Sequence, residues 1–194
     1  MSSANPVAHR DAGHEVDPLF VRRHSPRQFR PAVIERAGVL RLFEAARWAP
    51  STYNEQEWRF CYALRDTPHF DRFLEQLVEA NRQWAKDAGL LAFVLSRTTF
   101  VKNGKPNVVH AFDAGAALQN LQLQAVQSGL ASHAMGGIDR AGAAKMLGVP
   151  ADVVVHCAVA VGHPAEVSEG DDVSFTGRKP LSAIMAEGSY GFDE

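Results

Sequence analysis

Cationic side chains are concentrated near the start of the chain, within residues 22–27. The cluster consists of Arg22, Arg23, His24 and Arg27, with Ser25 and Pro26 between them. Asp17 followed by Pro18 predicts an N-cap and first helical residue, so a short helix is expected over 19–23, and Pro26 ends it. The arginines then enter an extended segment, where their planar guanidinium groups can converge on a doubly charged phosphate. A solvated basic turn is the alternative interpretation of the same charges.

Composition limits the classes of function. The chain has 194 residues, 46% of them hydrophobic, which is enough for one domain with a sizeable core. A formal net charge of -2 argues against nucleic acid as a partner. The two cysteines, Cys61 and Cys157, are far apart, and the eight histidines form no HxH or HxxxH pair, so neither a disulfide framework nor a metal site is predicted. A reducing cytoplasm is therefore the expected location.

The N-terminal residues carry no apolar segment of the kind found in signal peptides. No apolar run in the chain approaches the ~18 residues needed to cross a membrane. We therefore expect a flexible N-terminal tail over 1–16, a single domain over 17–194, and no association with a membrane.

Hydrophobic periodicity predicts mixed helices and strands. Helices are expected over 33–48, from 68 to 84, over 111–128 and from the Asp139 cap to 147, and strands over 58–65, 90–95 and 153–161. Because the two element types alternate irregularly, the predicted fold class is α+β with a central sheet. Loop 98–109 is interpreted either as a mobile lid or as a plain connection.

Two features interrupt the apolar pattern. Asn81 occupies a position on the helical stripe where a hydrophobic residue is expected, and an unpaired buried amide costs about 1–3 kcal/mol. It must therefore either bond local backbone or meet a ligand. Gly136 and Gly137 allow a backbone to pass close to a flat ligand, although a tight turn explains them equally.

Three separated stretches together resemble the FMN-dependent nitroreductase family. They are residues 23–27, residues 45–60, and the set 114–121, 129–130, 135–139 and 161–164. The likeness spans roughly residues 18–185. It implies a nitroreductase-like fold, with a central mixed sheet flanked by helices and a C-terminal arm exchanged with a partner subunit.

The resemblance further implies a homodimer with two FMN molecules, each bound between the subunits. Arg23, His24, Ser25 and Arg27 would hold the phosphate and ribityl end, and Arg178 would close over the phosphate. Pro50, Ser51, Thr52 and Asn54 would face the flavin from the other subunit. Asn81 would bond the isoalloxazine edge, and Gly136 and Gly137 would lie beside the ring near N5.

Two residues depart from the family pattern. Glu57 occupies a position that is usually proline, a change expected to loosen the loop before Trp58. Gly136 replaces a glutamate that some members carry beside the flavin, so the specificity of those members is not carried over.

The activity implied by the resemblance is an NAD(P)H oxidoreductase. NADH or NADPH would deliver hydride to flavin N5, and an electron-poor acceptor such as a nitroaromatic or quinone would then take its place in a ping-pong exchange. No catalytic side chain is predicted, because the flavin carries the chemistry. The alternatives are a carrier or storage protein that binds FMN without turnover, and a flavin-free interaction module with a basic surface.

Overall fold

The computed structural model of the protein describes residues 10, 12–166 and 176–192. The chain divides into two compact units, one formed by Val16–Glu166 and the other by Met1–Glu15 with Val167–Glu194. Most of the predicted N-terminal tail, residues 1–9 and 11, lies outside the described residues. The second unit contains a short 3-10 turn, Leu181–Ala183.

Six helices and five strands make up the larger unit as described. The helices are α1 Pro18–Arg22, α2 Arg36–Arg47, α3 Pro68–Leu74, α4 Glu79–Ala85, α5 His110–Gln127 and α6 Arg140–Leu147. The strands are β1 Phe29–Arg30, β2 Trp58–Leu64, β3 Leu90–Arg97, β4 Ala131–Met135 and β5 Val153–Pro164. No helix in the described part of the chain is long and apolar enough to traverse a bilayer.

Helix boundaries follow the capping signals in the sequence. Asp17 accepts a hydrogen bond from the backbone N–H of Leu19 at 2.8 Å, which confirms the predicted start of α1. Asp139 caps α6, and Gly148 ends it with a left-handed φ of 64°.

The five strands form one sheet in which β5 pairs with β1, β3 and β4, and β3 also pairs with β2. All of these pairings are antiparallel. The α+β class with a central sheet between helices is confirmed. The sheet described is antiparallel throughout, rather than mixed as the resemblance implies. The exchange of a C-terminal arm remains a prediction.

Helices cover both faces of the sheet. Successive residues of β3 point to opposite sides, so Leu91, Phe93 and Leu95 enter one apolar cluster, which also holds side chains of α3, α4 and α6. Alternate β3 residues enter a second cluster with the buried sides of α2 and α5. Leu40 of α2 is apolar but exposed, and it lies outside both clusters.

The helix predicted from 68 to 84 is wrong, because two helices occupy this stretch. Between α3 and α4, Leu77 forms a β-bridge with Ile138, and the Val78 N–H donates to the Gly137 carbonyl at 3.1 Å. Val78 is extended, with ψ 152°, and α4 starts after it. Pairing with the segment after β4 therefore replaces helical hydrogen bonds, and it brings Asn81 to the end of β4.

Loop 98–109 contains a folded turn of its own. Thr99 and Pro106 form a bridge, and the Phe100 N–H donates to the Lys105 carbonyl at 2.9 Å. The Val101 N–H also donates to the Glu55 carboxylate at 2.7 Å, which connects this loop to the segment before β2. Whether the loop acts as a lid remains a prediction.

Candidate functional site

The cationic segment leaves α1 in an extended conformation, as the sequence predicts. Arg23 caps the helix with ψ 117°, and its Nη1 lies 3.3 Å from the Ser25 hydroxyl oxygen, to which it donates. His24 Nδ1 lies 3.0 Å from the carbonyl oxygen of Arg22. Arg27 is exposed shortly before β1. The guanidinium groups thus lie on a short connection fixed at one end by α1 and at the other by the sheet.

His133 of β4 lies at the centre of this region, although no sequence signal identified it. Its Nδ1 lies 2.9 Å from the Pro26 carbonyl oxygen, and its ring stacks on Trp84 with centroids 4.5 Å apart. Burial lowers the pKa of His133; the bond to Pro26 acts in the opposite direction, and the charges of Arg27 and Arg23 lower the pKa further. The contact between Pro26 and His133 places the segment that carries Arg23 and Arg27 beside β4.

Asn81 and Gly137 meet directly. Asn81 Nδ2 donates to the Gly137 carbonyl at 3.0 Å. A Cβ added to Gly137 would lie 2.7 Å from Asn81 Nδ2 and 2.9 Å from Val78 Cγ2, so only glycine fits without displacement. This contact gives the half-buried amide a protein partner, and the flavin-binding role of both residues remains a prediction.

Gly136, the neighbour of Gly137, faces open space. The nearest atom to a Cβ built there is an Arg140 guanidinium nitrogen at 3.9 Å, and the residue is exposed. The end of β4 therefore presents a stretch of backbone without a side chain over it.

The loop before β2 is held in an unusual backbone conformation. Tyr53, Asn54 and Gln56 have φ values of 54°, 57° and 53°, a region that costs non-glycine residues of order 1–3 kcal/mol each. The Thr52 N–H donates to Asp113 Oδ2 at 2.8 Å, and the Gln56 N–H donates to the Ser51 hydroxyl at 3.0 Å. These hydrogen bonds offset part of the conformational cost and fix the path of the loop.

Glu57 does not loosen this loop, contrary to the expectation from its replacement of proline. Its side chain is 1% exposed, and Oε1 accepts a hydrogen bond from Asn107 Nδ2 at 2.6 Å. The Glu57 carbonyl also accepts the Arg97 N–H at 3.1 Å. The glutamate therefore anchors the end of the loop to loop 98–109 and to β3.

The predicted site residues fall into separate groups. Residues 23–27, Asn81, Gly136 and Gly137 gather around β4, whereas residues 50–54 contact the start of α5 through Asp113. Arg178 belongs to the smaller compact unit, where its Nη1 donates to the carbonyls of Thr176 and Gly177 at 3.2 and 3.0 Å. The joint roles predicted for the three groups remain predictions.

Metal chemistry has no candidate centre in the part of the chain that the structure describes. No three His, Cys, Asp or Glu side chains there are arranged to hold an ion. The chemistry available around β4 is that of fixed cations, amides and exposed backbone.

Comparison with known proteins identifies the family. The sequence profile of the nitroreductase family matches residues 21–82 and 64–163. The protein DrgA of Synechocystis sp. is 30% identical over 172 residues, covering 75% of this chain and 82% of that protein. The crystal structure of an FMN-containing oxidoreductase is 35% identical, with a TM-score of 0.88 and full coverage of both chains. A structure from Desulfovibrio desulfuricans in complex with FMN is 26% identical, with a TM-score of 0.70, covering 91% of this chain and 100% of that one. With this match of sequence and fold, the chain belongs to the nitroreductase family.

Proposed function

We propose that this protein is an FMN-dependent NAD(P)H oxidoreductase that reduces electron-poor acceptors such as nitroaromatics or quinones. The observation that carries the proposal is the contact of the cationic segment 23–27 with β4, where the Pro26 carbonyl oxygen lies 2.9 Å from His133 Nδ1, on the strand that ends beside the exposed backbone at Gly136. The FMN-containing structures with which the fold is shared support the same cofactor.

The residues around β4 fit the phosphate end of FMN. Two guanidinium groups can each present two parallel N–H donors to a dianion, and the Ser25 hydroxyl lies with them. Burial lowers the pKa of the neighbouring His133 imidazole, which favours the form that adds no competing charge. In this proposal His24 and Ser25 complete the contacts to the phosphate and ribityl end.

The ring end of the cofactor is assigned to Asn81, Gly136 and Gly137. The Asn81 amide has two N–H donors, and only one is needed for the 3.0 Å bond to Gly137. The other remains for a polar edge of the ring, while Gly136 leaves the approach open. When bound, FMN would supply the redox chemistry of hydride transfer from NADH or NADPH to the acceptor. The side chains around β4 would bind and orient the flavin, and their N–H donors would raise its reduction potential.

A homodimer is part of the proposal, since the loop over 50–54 would act from the second subunit. Large apolar side chains are exposed on α1, on α2 and the residue that follows it, and on α5, namely Phe20, Leu40, Trp48 and Phe112. Trp48 and Phe112 are 74% and 79% exposed. Since α2 and α5 pack against each other, Leu40, Trp48 and Phe112 belong to one helical layer, and an exposed apolar surface of this kind is typical of an interface.

Two further elements complete the proposal. Arg178 is assigned to the phosphate through the C-terminal arm of the partner. A cytoplasmic location is inferred from Cys61 and Cys157, which are both free thiols.

The test is the visible spectrum of the purified protein, followed by rapid mixing. We expect a flavin spectrum that bleaches with NADH or NADPH and returns with a nitroaromatic or quinone. Retention of FMN without bleaching would favour a carrier instead, and a protein that takes up no FMN would refute the proposal.

A matched pair of variants tests the phosphate assignment. Arg27→Ala is expected to weaken FMN binding by about 1.5–3 kcal/mol, on the order of 10- to 100-fold, as for a lost charged hydrogen bond. Arg30→Ala removes the same charge from the exposed end of β1 and serves as the control. Equal FMN dissociation constants for the two variants would contradict the assignment.

A further inference from the structure

The Glu57 and Asp113 carboxyl groups meet at the junction of β2, loop 98–109 and α5. Glu57 is 1% exposed and Asp113 is 4% exposed. Hydrogen bonds connect the two residues through loop 98–109. Asn107 Nδ2 donates to Glu57 Oε1 at 2.6 Å, the Val109 N–H donates to Asn107 Oδ1 at 3.2 Å, and the Asp113 N–H donates to the Val109 carbonyl at 3.1 Å. The Asp113 carboxyl group lies close enough to act on that of Glu57. Like charges buried this closely repel strongly, so the contact requires an explanation.

The hydrogen bonds around the pair indicate where a proton must lie. Glu57 Oε1 accepts from Asn107, whereas Oε2 is buried and has no well-formed hydrogen bond to another of the described residues. Two carboxylates have no hydrogen to share, but a protonated carboxyl donates to an ionised one. A proton between Glu57 and Asp113 therefore satisfies the otherwise orphaned oxygen.

Asp113 is the better site for the negative charge. It lies in the first turn of α5, where the helix dipole stabilises an anion. Its Oδ2 also accepts the Thr52 N–H at 2.8 Å. Burial raises the pKa of Glu57, and the charge and hydrogen bond of Asp113 raise it further, whereas the Glu57 backbone N–H and the bond from Asn107 act in the opposite direction.

Other titratable groups around Glu57 have partners of their own. Arg97 Nε of β3 forms an ion pair with the Asp152 carboxylate across 3.4 Å. His110 Nδ1 of α5 lies 2.7 Å from the Ser96 hydroxyl oxygen. The Glu55 carboxylate accepts a backbone N–H at 2.7 Å. Asp113 is the charged group that acts on the Glu57 carboxyl.

We propose that Glu57 and Asp113 are positioning residues, which share one proton and thereby lock the loop over 51–57 in its strained conformation. The proposal rests on the proposed function, in which this loop faces the flavin. The connection is direct: Asp113 holds Thr52 at the start of the loop, and Glu57 ends it. Loss of the proton places two charges at this junction, which pushes the carboxyl groups apart and releases Thr52.

The direction of the pH effect follows from the protonation states. Because the folded state holds the proton more tightly than the unfolded chain, the lock is complete at pH values below the ordinary pKa of a carboxyl group. It is lost as the pH rises through the raised pKa of Glu57. Glu57→Gln keeps an N–H donor in place of the proton and removes this dependence. Asp113→Asn also removes the pH dependence, because the asparagine oxygen accepts the Thr52 N–H and the asparagine NH2 group donates to Glu57.

The experiment measures hydrogen-exchange protection of residues 51–57 in flavin-free protein, and FMN affinity, between about pH 5 and pH 9. For the native chain, both quantities are expected to fall at least about tenfold as the pH rises, which corresponds to one pKa unit. Glu57→Gln and Asp113→Asn are expected to change less than about twofold over the same range. Glu35→Gln, at the exposed start of α2 without a capping bond, removes the same charge and should behave like the native chain.

Two results would overturn the proton lock. One is loop protection in the native chain that stays constant with pH. The other is a Glu57→Gln variant that loses loop protection in parallel with the native chain as the pH rises. Absence of FMN binding at every pH would instead refute the proposed function. The exchange measurement on flavin-free protein decides the lock independently of that result.

Discussion

Adjacent glycines at the end of β4 provide a sharp test of the packing, because the structure assigns opposite consequences to the same substitution. In Gly137→Ala, the new Cβ would lie 2.7 Å from Asn81 Nδ2 and 2.9 Å from Val78 Cγ2. In Gly136→Ala, the nearest atom is 3.9 Å away. Neither glycine has a left-handed φ, so backbone strain does not distinguish them.

The expected size of the effect follows from three contributions. Overpacking costs about 1–3 kcal/mol, and displacement of the Asn81 amide loses a hydrogen bond of about 0.5–1.5 kcal/mol. Replacing glycine lowers the entropy of the unfolded chain, which returns about 0.4–1 kcal/mol. Gly137→Ala is therefore expected to destabilise the protein by about 0.5–4 kcal/mol, whereas Gly136→Ala is expected to be neutral or slightly stabilising.

The assay is urea unfolding of flavin-free protein followed by tryptophan fluorescence, since bound FMN would add its own binding free energy to the folded state. The double variant Asn81→Ala/Gly137→Ala supplies a further check. With the amide removed, Gly137→Ala should cost less by about 1 kcal/mol. Equal stability of the two single glycine variants would refute the packing at this contact.

Three further predictions concern stability and reactivity. Asp139→Ala removes the cap that accepts an N–H at 2.9 Å, and thermal unfolding should show a loss of about 1 kcal/mol; an unchanged melting temperature would contradict the cap. Burial lowers the pKa of His133 from 6.5, so its contribution to stability is present above that pH and is lost as the pH falls. Unfolding free energies of the native chain should therefore decline more steeply below this pH than those of His133→Asn, which keeps an N–H for Pro26; identical slopes would count against a neutral buried imidazole. Burial raises the pKa of Cys157 to about 11, so little of its thiol is in the reactive thiolate form. In a Cys61→Ala variant at about pH 8, a disulfide reagent should label Cys157 on the order of 100-fold more slowly in the folded protein than in urea. Equal labelling rates would show an accessible thiolate.

Signals between chain neighbours allowed much of the secondary structure to be predicted. Asp17 and Asp139 cap helices by bonding N–H groups two and three residues away, so their effect is visible in the sequence. The alternation over 58–65 likewise reflects the intrinsic period of a strand. The break between α3 and α4 was missed because Leu77 pairs with Ile138, a residue distant in the chain, and this pairing overrides the helical periodicity.

Some residues of the candidate site could be found from the sequence, and others became apparent only in the folded structure. The guanidinium groups of residues 23–27 and the resemblance to the nitroreductase family were apparent from the sequence, since they depend on residue identity and order alone. His133 carried no such signal, because its importance comes from Trp84 and Pro26, which reach it only in the folded sheet.

The sequence by itself determined the family, the cationic character of residues 23–27 and the ends of the capped helices. Only the tertiary structure decided that Glu57 is buried against Asp113 and that Asn81 bonds Gly137. The physical reason is that the energy of a buried polar group depends on the partners and dielectric around it, and these are supplied by segments distant in the chain.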